Sequence, residues 1–472
     1  MSNPVETEAA KITTERLEFR GGAGVSVIPL AVFIVATMGL VISGAPDVNG
    51  MIIAAMVGIS AGMFFSRDFA AYSEKVFSLM ANRIATVAVV AWLWAGAFSG
   101  ILADSGLVEA IVWIGTKLHL SGAFFTVAVF ISAAFFAVSV GTGMGTIVGF
   151  TAVIYPAGIV LGSNPAALLG AIFSGAAFGD NLAPISDTTI VSAATQETDI
   201  GGVVRSRLKY VLIAGGISAV LFLIFGGGGS AIDPAEAEKL MTETADPTGL
   251  PMLIPAAIVF FVAVSGRHFL AALTAGAISA LIVGPLFGVF PLSRVLYIAA
   301  DGSVAGSAVS GATALLPISI LTLLLVTAIG IMSDAGFMDK LMAWLDRNIA
   351  RSVRGAEAAI VALISFANIC VSVNTVAMIT TGPLANELRK RHKIHPYRSA
   401  NLLDTISCSF PYILPYSATI VAANAIQKEL VERYSFAVVV PWTQEAPYIF
   451  YGIVLFPLMI AAVATGFGRK KG

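Results

Sequence analysis

The residues best placed to do chemistry lie in the run FGDNLAPISDTTIVSAA, Phe178–Ala194. It sets two carboxylates, Asp180 and Asp187, on either side of Pro184, with Asn181, Ser186, Thr188, Thr189 and Ser192 around them. The flanking sequence is strongly apolar. A charge at a bilayer centre costs about 2.5–3.5 kcal/mol, so acids in such surroundings point to function. Pro184 interrupts any helix between the two acids and leaves backbone carbonyls and amides unpaired. Those groups, with carboxylate and hydroxyl oxygens, form the hard oxygen shell that Na⁺ takes. Asp180 and Asp187 are the expected ligands, with Ser186, Thr188 and Thr189 completing the shell. The same acids can carry protons, because burial favours the neutral form of a carboxyl group. Competition between Na⁺ and H⁺ for one carboxylate produces exchange. A structural reading competes: Ser186-Asp187-Thr188-Thr189 is good helix-start sequence, in which Asp187 would only cap. Asp180 would then be solvated at the membrane interface.

A second polar stretch, NLLDTISCSFPYILPYSATIVAAN, spans Asn401–Asn424 and is broken by Pro411 and Pro415. Its groups include Asp404, Ser407, Ser417 and Thr419. Asp404 belongs either to a site or to a structural ion pair with Arg398. Two further breaks, VSVGT at Val138–Thr142 and VSVNT at Val371–Thr375, add Ser139, Thr142, Ser372, Asn374 and Thr375. Gly141, Gly143 and Gly145 permit close backbone approach, for a site or for helix packing. Asp104 and Asp334 each precede a short amphipathic run and are expected to cap interfacial helices. Asp301, in a polar loop, is expected to be solvated. The two cysteines and four histidines show no disulfide framework, metal spacing or HExxH pair. Ala177 stands where an intramembrane aspartyl protease wants the first Gly of Gly-x-Gly-Asp. Neither a metalloenzyme nor a protease is expected, and no cofactor.

The elements that must position these groups are membrane helices. Of 472 residues, 57% are apolar and 12% charged, with a net charge of −1. Too few charges remain to cover soluble domains, and nothing suggests a nucleic-acid partner. Runs near the 20 residues of a span occur at Val25–Gly44, Asn49–Phe65, Ile84–Ala103, Val211–Gly229, Leu250–Val264, Phe269–Phe287, Ala314–Met332 and Tyr448–Gly466. Between them, Ser121–Ala194 and Glu357–Ala425 read as membrane-embedded but broken. No cleavable leader is expected, because the first 24 residues are polar and mixed in charge. Basic residues near the spans, Arg205, Arg207 and Lys209 among them, place both termini in the cytoplasm.

The chain also repeats itself at an offset of about 230 residues. GILADSGLVE at Gly100–Glu109 matches GIMSDAGFMD at Gly330–Asp339. VSVGT matches VSVNT, and PISDTTIVSAA at Pro184–Ala194 matches PYSATIVAA at Pro415–Ala423. The basic residues fall on opposite sides in the two copies, so the repeats are inverted, and secondary transporters place their site between such repeats. The expected organisation is a tail at 1–24, repeat 1 at 25–230, an extracytoplasmic linker at 231–249, inverted repeat 2 at 250–466 and a tail at 467–472. The fold class is an all-α polytopic membrane protein.

The run GAAFGDNLAPISDTTIVSAA closely resembles the signature of the NhaC family of Na⁺/H⁺ antiporters, in the ion transporter superfamily. The repeat layout extends the resemblance over roughly Val25 to Gly466. It implies an elevator-like fold in which each repeat has a re-entrant hairpin and a broken helix, a homodimer, and a bacterial cytoplasmic membrane. VSVNT is similar to the sodium-binding hairpin tips of the divalent anion/sodium symporters, which carries over to Ser372, Asn374 and Thr375. VSVGT has Gly141 where that Asn would stand. Many relatives have Lys or His after the Gly-Asp, where this chain has Asn181. The leading expectation is Na⁺/H⁺ exchange. The alternative is Na⁺- or H⁺-coupled transport of a small organic anion or amino acid, held by Asn374, Thr375, Ser417 and Thr419.

Overall fold

A computed structural model describes residues 16–43, 47–81, 83–140, 143–184, 186–228, 243–265, 269–371 and 373–469. Among these residues the regular structure is helical apart from one short antiparallel pair, Tyr297–Ile298 with Val304–Ala305. Among the described residues, six helical segments are long and apolar enough to cross a membrane, or eight if each of two bent pairs counts as one span. The chain is a multi-pass membrane protein. Its expected linker falls largely outside the described residues, as do most of the N-terminal tail and the last three residues.

The first half of the chain holds ten helices among its described residues. They are α1 (Ile28–Ile42), α2 (Val48–Phe65), α3 (Phe69–Met80), α4 (Arg83–Ala103), α5 (Leu107–Lys117), α6 (Gly122–Val140), α7 (Gly143–Val160), α8 (Pro165–Leu182), α9 (Asp187–Thr195) and α10 (Ile200–Phe225). The second half continues with α11 (Leu253–Val264), α12 (Phe269–Leu286), α13 (Ser307–Ala314), α14 (Leu316–Asp334), α15 (Phe337–Asn348), α16 (Val353–Val371), α17 (Asn374–Arg391), α18 (Pro396–Ser407), α19 (Ala418–Arg433) and α20 (Phe450–Thr465).

Both stretches read as broken divide where the sequence says they should. VSVGT separates α6 from α7, and VSVNT separates α16 from α17. Asn164 caps α8 by accepting from the amides of Ala166 and Ala167, and Pro165 takes the first helical turn, where its missing N–H costs nothing. The helix stops before Pro184, and Ser186 restarts it by capping α9. Three spans differ from expectation. Ile84–Ala103 runs on through a 62° bend into α5, with Gly106 left-handed at the bend. Ala314–Met332 is preceded by the separate α13, because Pro317 opens α14. Leu250–Val264 begins as a 3-10 turn, leaving only 12 residues of α-helix.

Asp104 and Asp334 do not cap. Left-handed Gly106 and Gly336 precede α5 and α15, and neither helix has a side-chain cap. Asp334 instead pairs with Lys75 at 2.8 Å and accepts from the Leu17 amide. Asp104 faces Arg433 at 3.7 Å. Each acid ties its helix end to a distant segment, which a local motif cannot reveal. Asp301 lies exposed in its loop, accepting from Ser303.

Glycine seams bring helix backbones into direct contact. An added Cβ at Gly175 would lie 2.5 Å from the Phe130 carbonyl oxygen, and one at Gly179 2.5 Å from that of Ala134, so α6 and α8 touch backbone to backbone. The same holds for α4 and α13, where Cβ atoms at Gly96 and Gly100 would lie 2.3 and 2.2 Å from the carbonyl oxygens of Gly311 and Ser307. Small residues let membrane helices approach this closely.

At the other end of α18, two arginines share one acid. Arg398 donates through Nε and Nη2 to the two oxygens of Glu357, each at 3.1 Å. Arg469, beyond α20, grips the same oxygens at 3.0 and 2.8 Å. Glu357 is fully buried. Arg398 also donates to Tyr210 Oη and to the Ala462 carbonyl. This cluster joins α10, α16, α18 and the end of α20.

Candidate functional site

Asp180 ends up in the last turn of α8, buried, with hydrogen bonds arriving from three separate segments. Ser186 Oγ donates to Oδ1 at 2.7 Å. Asn374 Nδ2, from the first residue of α17, donates to Oδ2 at 3.1 Å. Tyr412 Oη, from the turn between α18 and α19, donates to Oδ2 at 3.1 Å. Because Ser186 spends its proton on Asp180, Thr188 must donate in their 2.9 Å contact. Asn374 is held in turn, its Oδ1 accepting from the Thr375 amide. Asn181 is fully buried, and neither atom of its carboxamide has a hydrogen-bond partner among the described residues.

The structure therefore regroups the predicted residues. Asn374, read with the second constellation, belongs with Asp180. Thr189 lies on the other side, donating to Asp404 Oδ2 at 3.3 Å. Asp404 does not pair with Arg398, which Glu357 occupies. Its partner is Arg207, whose Nη2 lies 2.5 Å from Oδ2, with both side chains fully buried. Arg398 and Asp404 are six residues apart on one helix, hence about 120° apart around its axis, and cannot meet. Ser192 Oγ adds a 3.3 Å bond to Asp404. Ser407 accepts from Asn368 Nδ2 at 2.9 Å. Ser417 caps α19 and contacts Thr419 Oγ1 at 3.0 Å, while Thr419 donates to the Pro411 carbonyl. Thr142 and Ser372 lie outside the described residues, as do the side chains of Ser139 and Asp187.

Sequence reasoning missed Arg207, Tyr412, Asn401 and Asn368. Arg207 had a signal. Val203, Arg207, Tyr210, Val211 and Ala214 are all buried and recur at helical spacing. An arginine on that apolar stripe cannot face the interface as exposed Arg205 does.

Gly143 sets the position of Tyr412. A Cβ there would lie 1.9 Å from Tyr412 Oη. Gly143→Ala is therefore expected to push the ring off Asp180. A hydrogen bond to a charged group contributes about 1.5–3 kcal/mol, so cation affinity should fall roughly tenfold or more. Tyr412→Phe should reproduce the loss in the same binding assay; unchanged affinity in both would place Tyr412 outside the site.

Part of the chain is similar to known antiporters. Residues 5–227 match the model of the Na⁺/H⁺ antiporter family. Similar curated proteins include the malate-2H⁺/Na⁺-lactate antiporter of Bacillus subtilis, 28% identical over 46% of this chain and 47% of the relative. The arginine/ornithine antiporter ArcD of Halobacterium salinarum is 28% identical over 38% of each chain. The Na⁺/H⁺ antiporter NhaC of Alkalihalophilus pseudofirmus is 25% identical over 40% of each. Each match spans half or less of the relative's own length. Over residues 5–227 the chain is thus similar to the Na⁺/H⁺ antiporter family, the family its Gly175–Ala194 run resembles. That matched stretch contains Asp180, Ser186 and Arg207, while Asn374, Asp404 and Tyr412 lie beyond it.

Proposed function

We propose that this protein is a secondary active Na⁺/H⁺ antiporter in which Asp180 binds Na⁺ and H⁺ alternately. The observation that carries this reading is a buried carboxylate contacted from three chain breaks at once. Ser186 follows the break after α8, Asn374 follows the break before α17, and Tyr412 lies in the break after α18. A cation at Asp180 would draw on the Ser186 and Thr188 hydroxyls and the Asn374 carboxamide oxygen, each able to turn an oxygen lone pair inward. Asp187, Ser139, Thr142 and Ser372 remain the expected further members of this shell. Protonation of Asp180 would remove the charge that holds the ion and expel it.

The two halves are read as inverted repeats working by an elevator-like motion, in a homodimer in a bacterial cytoplasmic membrane with both termini cytoplasmic. Matching details support the repeat. Breaks fall at VSVGT and VSVNT, left-handed Gly106 and Gly336 each follow an acid by two residues, and the Ser186–Thr188 and Ser417–Thr419 hydroxyl pairs recur at one offset. A second reading, coupled transport of a small organic anion or amino acid, is favoured by the names of two relatives, the malate/lactate and arginine/ornithine antiporters.

The deciding experiment is transport in proteoliposomes loaded with a pH-sensitive dye. A pulse of Na⁺, with no organic solute present, should move protons. The apparent affinity for Na⁺ should weaken as pH falls, because H⁺ competes for the same carboxylate. A pulse that moves no protons sinks the exchange reading and passes the question to labelled dicarboxylates, lactate, arginine and ornithine.

A further inference from the structure

The Arg207 guanidinium sits inside a cage of oxygens. Nη1 donates to the Asn181 carbonyl and, at 3.1 Å, to Thr189 Oγ1. Nε donates to Asn401 Oδ1 at 3.1 Å. Nη2 meets Asp404 Oδ2 at 2.5 Å, a contact of charge rather than a well-aligned hydrogen bond. The Asn401 carboxamide is held in this orientation because its Nδ2 donates to Ser206 Oγ at 2.6 Å. Thr189, Arg207, Asn181 and Asp404 are fully buried, and Asn401 nearly so.

One carboxylate, one backbone carbonyl freed by a helix break, one carboxamide oxygen and one hydroxyl are the donor set of a monovalent hard cation. The cage carries a single negative charge. It spans the end of α8, the start of α9 and the body of α18, so it joins the two halves of the chain. We propose that this is a cation site whose occupant is the protein's own arginine, a tethered cation in place of a diffusible one. A guanidinium is always protonated and cannot leave. The site is thus filled throughout the cycle, the two halves stay joined without a bound ion, and the exchanging ion is confined to the Asp180 side.

Removing the guanidinium must leave Asp404 buried and uncompensated among neutral oxygens, a strongly destabilising state. A free cation that fits should relieve it. The test compares Asp180→Asn with Asp180→Asn/Arg207→Ala, purified in detergent, so that Na⁺ binding at Asp180 contributes nothing and failure of the exchange reading stays separate. Thermal unfolding is followed in choline chloride, with titrations of NaCl and of millimolar guanidinium chloride. The double variant should melt several degrees lower in choline and recover saturably with Na⁺ or guanidinium. The single variant should respond to neither, and Asp180→Asn/Arg207→Lys should also be unresponsive, since it keeps a tethered charge. Equal responses in single and double variants, or none in the double, overturn the proposal. So does a double variant that cannot be recovered in any of the three salts, since a cage built for a cation folds around a free one.

Discussion

Asp180→Asn should abolish Na⁺-driven proton movement while the protein still inserts and purifies. Asn has nearly the shape of Asp: its carbonyl oxygen can still accept from Ser186 and its Nδ2 can donate to Tyr412 Oη, so of the three bonds only the one from Asn374 Nδ2 is lost. What disappears is the charge that holds Na⁺ and the acid that takes up H⁺. The expected loss is complete, at least 100-fold in initial rate, because neither half of the exchange survives. The measurement is the dye assay on reconstituted variant, with recovery from the membrane checked beside it. Normal exchange would reduce Asp180 to a structural tie. Asp404→Asn makes the contrast: it leaves Arg207 buried and uncompensated, so its main effect should be lost stability.

The second large effect is expected at Glu357. Two arginines hold its oxygens, and Glu357→Gln would leave Arg398, almost fully buried, without an anion. Removing one partner of a buried pair costs about 3–5 kcal/mol, a large share of a marginal stability. The variant should lose much of its monodisperse fraction in detergent and melt well below the parent. Arg469→Gln should cost far less, because Arg469 is 24% exposed and solvent screens its contribution. Equal melting of Glu357→Gln and the parent would show that the cluster carries no stability. Arg469 bonds to Glu357 and the Val463 carbonyl, not to a residue of the site, so exchange per folded molecule should persist in Arg469→Gln.

Local chemistry in this chain was legible because it is written locally. Pro184 and Ser186 specify a stop and a restart, and both appear where the residues place them. Tight motifs such as VSVGT and VSVNT also marked true breaks. Pairing across the chain was not legible. Asn374 and Tyr412 reach Asp180 from about 190 and 230 residues away, and no spacing rule encodes that. Arg207 was misread for another reason. An orientation rule counts every basic residue beside a span alike, yet helical periodicity separates exposed Arg205 from buried Arg207 two residues on. Asp334 and Asp104 failed similarly, since a glycine in the left-handed region already starts the next helix.

The glycine seams carry a mechanical consequence. Along α6 and α8, the backbones touch at two successive turns, Gly175 on Phe130 and Gly179 on Ala134. Sliding one helix by a single residue would drive a side chain into a carbonyl oxygen. The pair therefore resists shear and behaves as one rod, with Asp180 at its tip. The seam of Gly96 and Gly100 against α13 welds a second rod in the same way. Any relative displacement within the molecule must take its slip plane between such rods, along contacts made by larger, deformable side chains.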